Sequence, residues 1–195
     1  MRMSLAMVAL AGLLAALPAH AEPRTYKLDL MHTYVSFAAP HVQAISFWRG
    51  KFDRTQSGAV TLDPAAKTGS IEVVIDTSSI NTGDPALDAH VRSPDFLDAT
   101  KFPTATFKSD SIEFKAGKPV AAKGELTLHG VTHPVRLKID EFKCISDFMS
   151  KGMQRCGADA SAIIDRTQWG VSAYANMTGR EVRLAIQVEG LTPTT

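Results

Sequence analysis

Histidine is the residue type in this sequence best suited to acid–base or metal chemistry. Five of the six histidines lie beyond residue 30: His32, His41, His90, His129 and His133. His129 and His133 are four residues apart, a spacing that would align two metal ligands on one face of a helix. A glycine and a proline directly follow them, however, and predict a hairpin turn instead. We therefore expect no metal site, and no cofactor of any other kind.

Asp29 and His32 have the residue types of an acid–imidazole pair, and Ser36 would complete a nominal triad for nucleophilic catalysis. On a straight strand Asp29 and His32 would point to opposite faces, so a bend is needed to bring them together. Motifs typical of zinc proteases, α/β-hydrolases and nucleotide-binding enzymes are absent from the sequence. We favour a protein without a reaction of its own. The enzyme alternative is a hydrolase or isomerase that acts on an apolar ligand through His32 or His41.

The first 21 residues form a segment of their own. Arg2 precedes an apolar run over residues 3–17, and Ala19-His20-Ala21 has the small-x-small pattern of a cleavage site. This predicts a secretory signal peptide over residues 1–21, cleaved after Ala21, and a single domain over residues 22–195. Cleavage removes one of the 21 basic residues and none of the 20 acidic ones. The formal charge then becomes zero, which argues against a nucleic-acid partner.

No second apolar run reaches the roughly 18 residues needed to span a bilayer, so we expect no stable membrane insertion.

The chain has two cysteines, Cys144 and Cys156, and export to an oxidising compartment predicts that they form a disulfide. The alternative is a thiol pair for metal or redox chemistry. It is disfavoured because the two cysteines lack a C-x-x-C spacing and no histidine lies between them.

Alternation of apolar and polar residues dominates the rest of the sequence and predicts strands with one buried face. In residues 181–189, Val182, Leu184, Ile186 and Val188 alternate with mainly polar residues. Further strands are predicted over residues 26–30, 34–39, 44–52, 59–62, 71–76, 104–114, 120–128, 135–140 and 158–164. Turn residues separate these runs at regular intervals, a pattern typical of an all-β antiparallel sandwich or barrel.

One segment has helical spacing instead. Asp84 is a suitable N-cap, Pro85 suits the first helical position, and Leu87 and Val91 lie on one helical face. We predict a short helix from about Pro85 to Arg92 that covers one end or flank of the sheet.

Aromatic residues are sparse but could line the interior of a barrel. An antiparallel barrel of about eight strands is just wide enough for side chains or for one slender apolar ligand. The many small alanines expected on inward faces would leave room for such a ligand. The residues predicted to line this tunnel are Phe37, Phe47, Trp48, Phe52, Phe96, Phe107 and Trp169.

Four motifs, in this order along the chain, resemble the YceI-like, polyisoprenoid-binding family. The opening motif comprises Asp29-x-x-His32-Thr33, Phe37, His41, Gly50-Lys51-Phe52, Gly58 and Ser79-Ile80-x-Thr82-Gly83. The middle motif comprises His90-x-Arg92-Ser93-x-Asp95-Phe96-Leu97-Asp98 and Phe102-Pro103-x-x-x-Phe107-x-Ser109. The last two motifs are Gly124-x-Leu126-Thr127-Leu128-x-Gly130-Val131-Thr132-x-Pro134-Val135 and Arg166-x-x-Trp169-Gly170.

The resemblance implies a periplasmic, lipocalin-like antiparallel β-barrel, crossed by a helix, that holds a long isoprenoid or similar lipid non-covalently. It does not imply an enzyme. His32, His41 and Arg166 are candidates for contact with a ligand headgroup or for a structural clamp. Because a buried arginine is rare unless it is paired, we expect Arg166 to act as a clamp on one of three carboxylates. These carboxylates are Asp95, Asp98 and Asp29.

We therefore interpret the chain as an exported binding protein that holds a long apolar lipid for transport, storage or sequestration. Besides the enzyme alternative, a stress-linked extracytoplasmic adaptor with a filled core stays open. A homodimer also stays open.

Overall fold

The structure is a computed structural model that describes residues 22–194, and the signal peptide predicted over residues 1–21 lies outside them. Strands dominate this part of the chain. They are β1 Arg24–Leu28, β2 Tyr34–His41, β3 Ser46–Phe52, β4 Thr55–Asp63, β5 Thr68–Asp76, β6 Ile80–Asn81, β7 Thr104–Lys115, β8 Lys118–Leu128, β9 Val131–Ser146, β10 Met153–Asp165 and β11 Glu181–Pro193. The helices are α1 Pro85–Arg92 and α2 Ala175–Thr178, and 3-10 turns cover Thr77–Ser79 and Arg166–Trp169.

Eight of these strands close into an antiparallel barrel. Their order is β1-β4-β5-β7-β8-β9-β10-β11, and β11 pairs back to β1 through Lys27 opposite Leu191. Farther along the same edge, β11 pairs with β2, and β3 and β6 extend the sheet from there. The prediction of an all-β, lipocalin-like barrel of about eight strands with a short helix is confirmed.

Most observed strands are longer than predicted, whereas two predicted ranges run past the end of the observed strand because the backbone turns there. The strand predicted over residues 26–30 ends at Leu28, since the His32 N–H donates to the Asp29 carbonyl oxygen at 3.0 Å and closes a turn. This turn is the bend that brings the Asp29 and His32 side chains together. The strand predicted from residue 44 begins at Ser46, since residues 42–44 all have positive φ.

Helix α1 has the predicted bounds because its capping signals are local. The Asp84 carboxylate accepts hydrogen bonds from the N–H groups of Ala86 at 2.9 Å and Leu87 at 3.3 Å, and Pro85 occupies the first helical turn. Its apolar side faces the barrel interior through Leu87 and Val91. Within residues 22–194, no helix has the length and apolar character needed to cross a membrane.

The disulfide predicted between Cys144 and Cys156 is confirmed. The two residues face each other on β9 and β10, beside a buried core cluster of Tyr26, Leu62 and Ile112. This cluster packs one end of the barrel.

Replacing both cysteines with serine is expected to lower the free energy of unfolding by roughly 3 kcal/mol, because the unfolded chain regains the entropy of an open loop. Urea denaturation of the variant and the oxidised wild type measures the difference. Mass analysis without reductant should show the wild type two hydrogen atoms lighter than its reduced form. Free thiols in protein purified without reductant would contradict the assignment.

Candidate functional site

The barrel encloses a cavity of about 610 Å³, a volume within the usual range of small-molecule sites. Its wall is mainly aliphatic and aromatic, and every barrel strand except β1 contributes to it. Typical wall residues are Val60, Ile71, Val73, Ile75, Leu126, Leu137, Val182, Leu184, Ile186 and Val188. The four alternating residues of β11 identified in the sequence all line this cavity. No carboxylate or lysine among the described residues lines the cavity.

The two ends of the cavity differ. The end next to the disulfide is packed by the core cluster. At the opposite end, where β10 ends and β11 begins, four wall residues are also exposed to solvent: Trp48, His90, Tyr174 and Met177. This end is the mouth of the cavity, and α1 and α2 flank it.

Five of the seven aromatic residues predicted to line the tunnel do so. They are Phe37, Trp48, Phe52, Phe96 and Phe107.

The prediction is wrong for Phe47 and Trp169, which do not line the cavity. Phe47 precedes Trp48 on β3, so it lies on the outer face, with the guanidinium of Arg183 4.7 Å from its ring centroid. Trp169 is buried elsewhere, where its indole Nε1 donates to the Leu126 carbonyl oxygen at 2.9 Å. Its role is structural.

Arg166 is buried at the mouth and is held by carbonyl oxygens. Its Nη1 donates to Val171 O at 2.7 Å, and its Nη2 donates to Ala173 O at 2.9 Å and Gly179 O at 3.1 Å. The Thr178 hydroxyl accepts a fourth bond at 3.2 Å. Burial lowers the pKa of the guanidinium, while the charge of nearby Asp165 acts in the opposite direction.

These hydrogen bonds favour the predicted role of Arg166 as a structural clamp, but its partners differ from those predicted. None of Asp95, Asp98 and Asp29 forms an ion pair with it in the described part of the chain. The guanidinium instead ties the segment after the 3-10 turn to the end of α2. It also contributes to the cavity wall, with its Cζ 5.7 Å from the ring centroid of Phe96.

His32 does not line the cavity and belongs to a charged cluster on another part of the barrel. Its Nδ1 lies 2.9 Å from Asp29 Oδ2, and Arg155 Nη1 lies 2.7 Å from the same oxygen. Arg155 also contacts Glu189 through Nη1 at 2.9 Å and Asp147 through Nε at 3.0 Å. Arg155, Glu189 and Asp147 were not among the site residues predicted from the sequence, because no local pattern links residues this far apart in the chain.

His41 lies on the cavity wall, where its ring packs edge-on against Trp48 at 5.6 Å. Among residues 22–194, no carboxylate or hydroxyl group forms a hydrogen bond with His41. Ser36, the third residue of the nominal triad, does not line the cavity. The structure therefore brings Asp29 and His32 together, and neither residue forms a hydrogen bond with Ser36 or His41 in the described part of the chain.

The similarity to known proteins covers the whole barrel. The family model of the YceI-like domain matches residues 26–190, which run from β1 into β11. The chain belongs to the YceI-like family. Protein YceI of Shigella flexneri is 37% identical over 172 residues, covering 85% of this chain and 86% of that protein.

Solved structures share the YceI-like fold. BcnA of Burkholderia cenocepacia matches with a TM-score of 0.63 at 25% identity, covering 80% of this chain and 95% of that one. A polyisoprenoid-binding domain of Saccharophagus degradans, implicated in plant cell wall breakdown, matches with a TM-score of 0.60 at 17% identity. That match covers 86% of this chain and 98% of the domain.

One group of side chains in this YceI-like protein has the composition of a cation site. Ligand atoms of Asp29, His32 and Glu189 all lie within 4.8 Å of one another. The guanidinium of Arg155, however, already bonds to both carboxylates and supplies the positive charge they need. We keep the expectation that the purified protein contains no stoichiometric metal.

Replacing Arg155 with methionine is expected to lower the free energy of unfolding by about 2 kcal/mol at neutral pH, because three carboxylates lose their shared cation. The Arg155 hydrogen bond lowers the pKa of Asp29 from 3.8 to about 2, and a second one lowers the pKa of Asp147. Depressed folded pKa values give stability that is complete above about pH 4 and is lost as the pH falls toward 2. The wild-type and variant stabilities should therefore converge over this range.

Urea denaturation at a series of pH values measures this convergence. Arg136→Met is the matched control, since Arg136 forms an exposed pair with Glu113 at 2.8 Å, and it should leave stability nearly unchanged. A constant difference between wild type and Arg155→Met across the acid range would contradict the role assigned to Arg155.

Proposed function

We propose that this YceI-like protein is an exported, periplasmic binding protein that holds a long apolar lipid, an isoprenoid or similar amphiphile, in its barrel. Transport, storage and sequestration are all compatible with this role. The observation that carries the proposal is the cavity of about 610 Å³, whose wall contains neither carboxylate nor lysine among the described residues. The polyisoprenoid-binding domain of Saccharophagus degradans, which has the same fold, supports the choice of ligand class.

The binding free energy favours a ligand with a hydrocarbon chain over a polar ligand. An apolar wall stabilises a ligand by removing apolar surface from water, at roughly 25 cal/mol for each Å². The polar groups of the wall include His41, His90, Tyr174 and Thr178, and two of these residues are exposed at the mouth. An amphiphile would therefore lie with its chain inside the barrel and its headgroup near the mouth.

The alternatives have less support. An enzyme acting through His41 would need a second titrating group beside it, and none among the described residues bonds to this imidazole. His32 lies outside the cavity. An adaptor with a filled core would need an interior packed by side chains, whereas here the side chains leave a large cavity.

The test begins with protein purified from the periplasm of its own host without detergent. After denaturation, mass spectrometry should detect a released lipid with a long hydrocarbon chain, and the polypeptide should begin at Glu22. Titration of the delipidated protein with prenyl alcohols of increasing length should show affinity rising about fourfold for each buried methylene, until the cavity is full. Affinity that does not depend on length, or that is undetectable at every length, would refute the proposal.

A further inference from the structure

Apolar side chains beside the mouth of the cavity are exposed to solvent. Val42, Ile45, Trp48, Tyr174 and Met177, here called the mouth rim, include Ile45 with 81% of its surface exposed. Three of them, Trp48, Tyr174 and Met177, also line the cavity. The rim therefore continues the apolar wall of the cavity onto the outer surface of the protein.

The two segments that form the rim are held together. The Gln43 N–H donates to the Met177 carbonyl oxygen at 2.8 Å, so the β2–β3 turn lies against α2. Within this turn residues 42–44 all have positive φ, a conformation that costs energy for residues other than glycine. The Ile45 N–H then donates to Val42 O at 3.2 Å, which closes the turn with Ile45 exposed at its end. An unfavourable backbone conformation thus accompanies an exposed apolar side chain, as at many binding sites.

Basic groups lie on the outer face beside the rim. Arg49 and Arg183 are both exposed, and each lies opposite Ala38 on adjoining strands. Neither forms an ion pair with any described residue. Near them, the positive charge of Arg180 is offset by Asp165, whose Oδ2 lies 3.5 Å from Arg180 Nη2. Glu181 contributes one exposed negative charge. The charges on this side of the rim are therefore positive on balance. On the α1 side the exposed Asp95 carboxylate lies 3.5 Å from His90, so the attraction for an anion is confined to the side of Arg49 and Arg183.

We propose that the mouth rim is a docking surface for an anionic lipid bilayer, through which the barrel exchanges its ligand. This inference rests on the proposed function, because an apolar ligand that leaves through the mouth needs a non-aqueous destination. Tryptophan and tyrosine suit the interface between lipid and water, and isoleucine and methionine suit shallow burial beneath it. The unpaired arginines attract anionic headgroups. The apolar rim and the cavity would then form one continuous path from the bilayer into the barrel.

A second exposed apolar pair gives an internal control. Phe148 and Met149 are 83% and 77% exposed in the turn between β9 and β10, at the end of the barrel opposite the mouth. Docking through the mouth predicts that this pair is not needed for binding to vesicles.

The experiment is vesicle flotation of the chain from residue 22, with phosphatidylcholine vesicles that contain or lack phosphatidylglycerol. The wild type should float mainly with the anionic vesicles. Val42→Ser combined with Ile45→Ser should weaken binding at least about tenfold, because two apolar contacts are lost. Arg49→Gln combined with Arg183→Gln should weaken binding to the anionic vesicles about thirtyfold, since each arginine near such a surface contributes about a factor of five. Phe148→Ser combined with Met149→Ser should bind as the wild type does.

Three outcomes would overturn the docking proposal. The first is loss of binding in the Phe148 and Met149 variant alone. The second is a wild type that takes up prenyl alcohol from aqueous dispersion but does not float, a result that leaves the carrier function intact. The third is a dimer, seen by light scattering, that the Val42 and Ile45 substitutions dissociate, since this would assign the rim to a second copy of the chain. Failure to take up any prenyl alcohol would instead count against the proposed function itself.

Discussion

Ala105→Trp is expected to abolish lipid binding, with a loss of affinity of at least about a hundredfold. Ala105 is buried on β7 opposite Ile75 of β5, and both residues line the cavity. An indole at this position projects into the space of about 610 Å³ that the hydrocarbon chain needs. Because each buried methylene contributes about 0.8 kcal/mol, losing room for several of them removes most of the binding free energy.

The matched control is Ala185→Trp, since Ala185 is exposed on β11 and does not line the cavity. It should bind prenyl alcohols as the wild type does. Because an added ring can destabilise a packed wall, circular dichroism and thermal unfolding should accompany each titration. If Ala105→Trp does not fold, Ala158→Phe, on the cavity wall of β10, replaces it. A folded cavity variant with wild-type affinity would contradict the assignment of the binding site.

The second large effect is expected for Arg166→Met, which should lower the free energy of unfolding by about 4 kcal/mol. The substitution removes the donor shared by three carbonyl oxygens and the Thr178 hydroxyl. Each acceptor left buried without a partner costs about 1–3 kcal/mol, and some of these acceptors should regain water. Arg166→Lys should fall in between, because a single ammonium group cannot reach all four acceptors in the geometry of a guanidinium.

Denaturation of ligand-free protein separates the two roles considered for Arg166. A clamp stabilises the protein without ligand, whereas a group that only binds a headgroup would change lipid affinity and leave ligand-free stability unaltered. Arg183→Met is the control, since this arginine is exposed and makes no ion pair with a described residue. Equal stability of Arg166→Met and wild type would rule out the clamp.

The clamp and the mouth rim are connected through the fold. The Arg166 guanidinium bonds to Ala173, two residues before α2, and to Gly179, directly after it, and α2 contributes Met177 to the rim. Loosening the clamp should therefore disturb the mouth before it disturbs the opposite end, where the disulfide and the core cluster lie.

Features that depend on neighbouring residues were predictable from the sequence. The alternation in residues 181–189 identified the inward face of β11, because strand geometry places every second side chain on the same side. Asp84 and Pro85 located the start of α1, because capping involves only the first helical turn. The disulfide followed because the chain has two cysteines, and the family was recognisable from ordered motifs along the chain.

Other features depend on where distant strands meet, and only the tertiary structure decided them. The positive-φ turn before β3 and the pairing of β3 with β2 decide that Trp48 faces inward and Phe47 outward; a shift of one residue would exchange them. The Arg155 cluster joins residues as far apart as Asp29 and Glu189, which meet only because β11 closes the barrel against β1. Local sequence patterns specify which side chains share a face. Long-range strand pairing determines which faces meet, and therefore determines the cavity, its mouth and the partners of each buried charge.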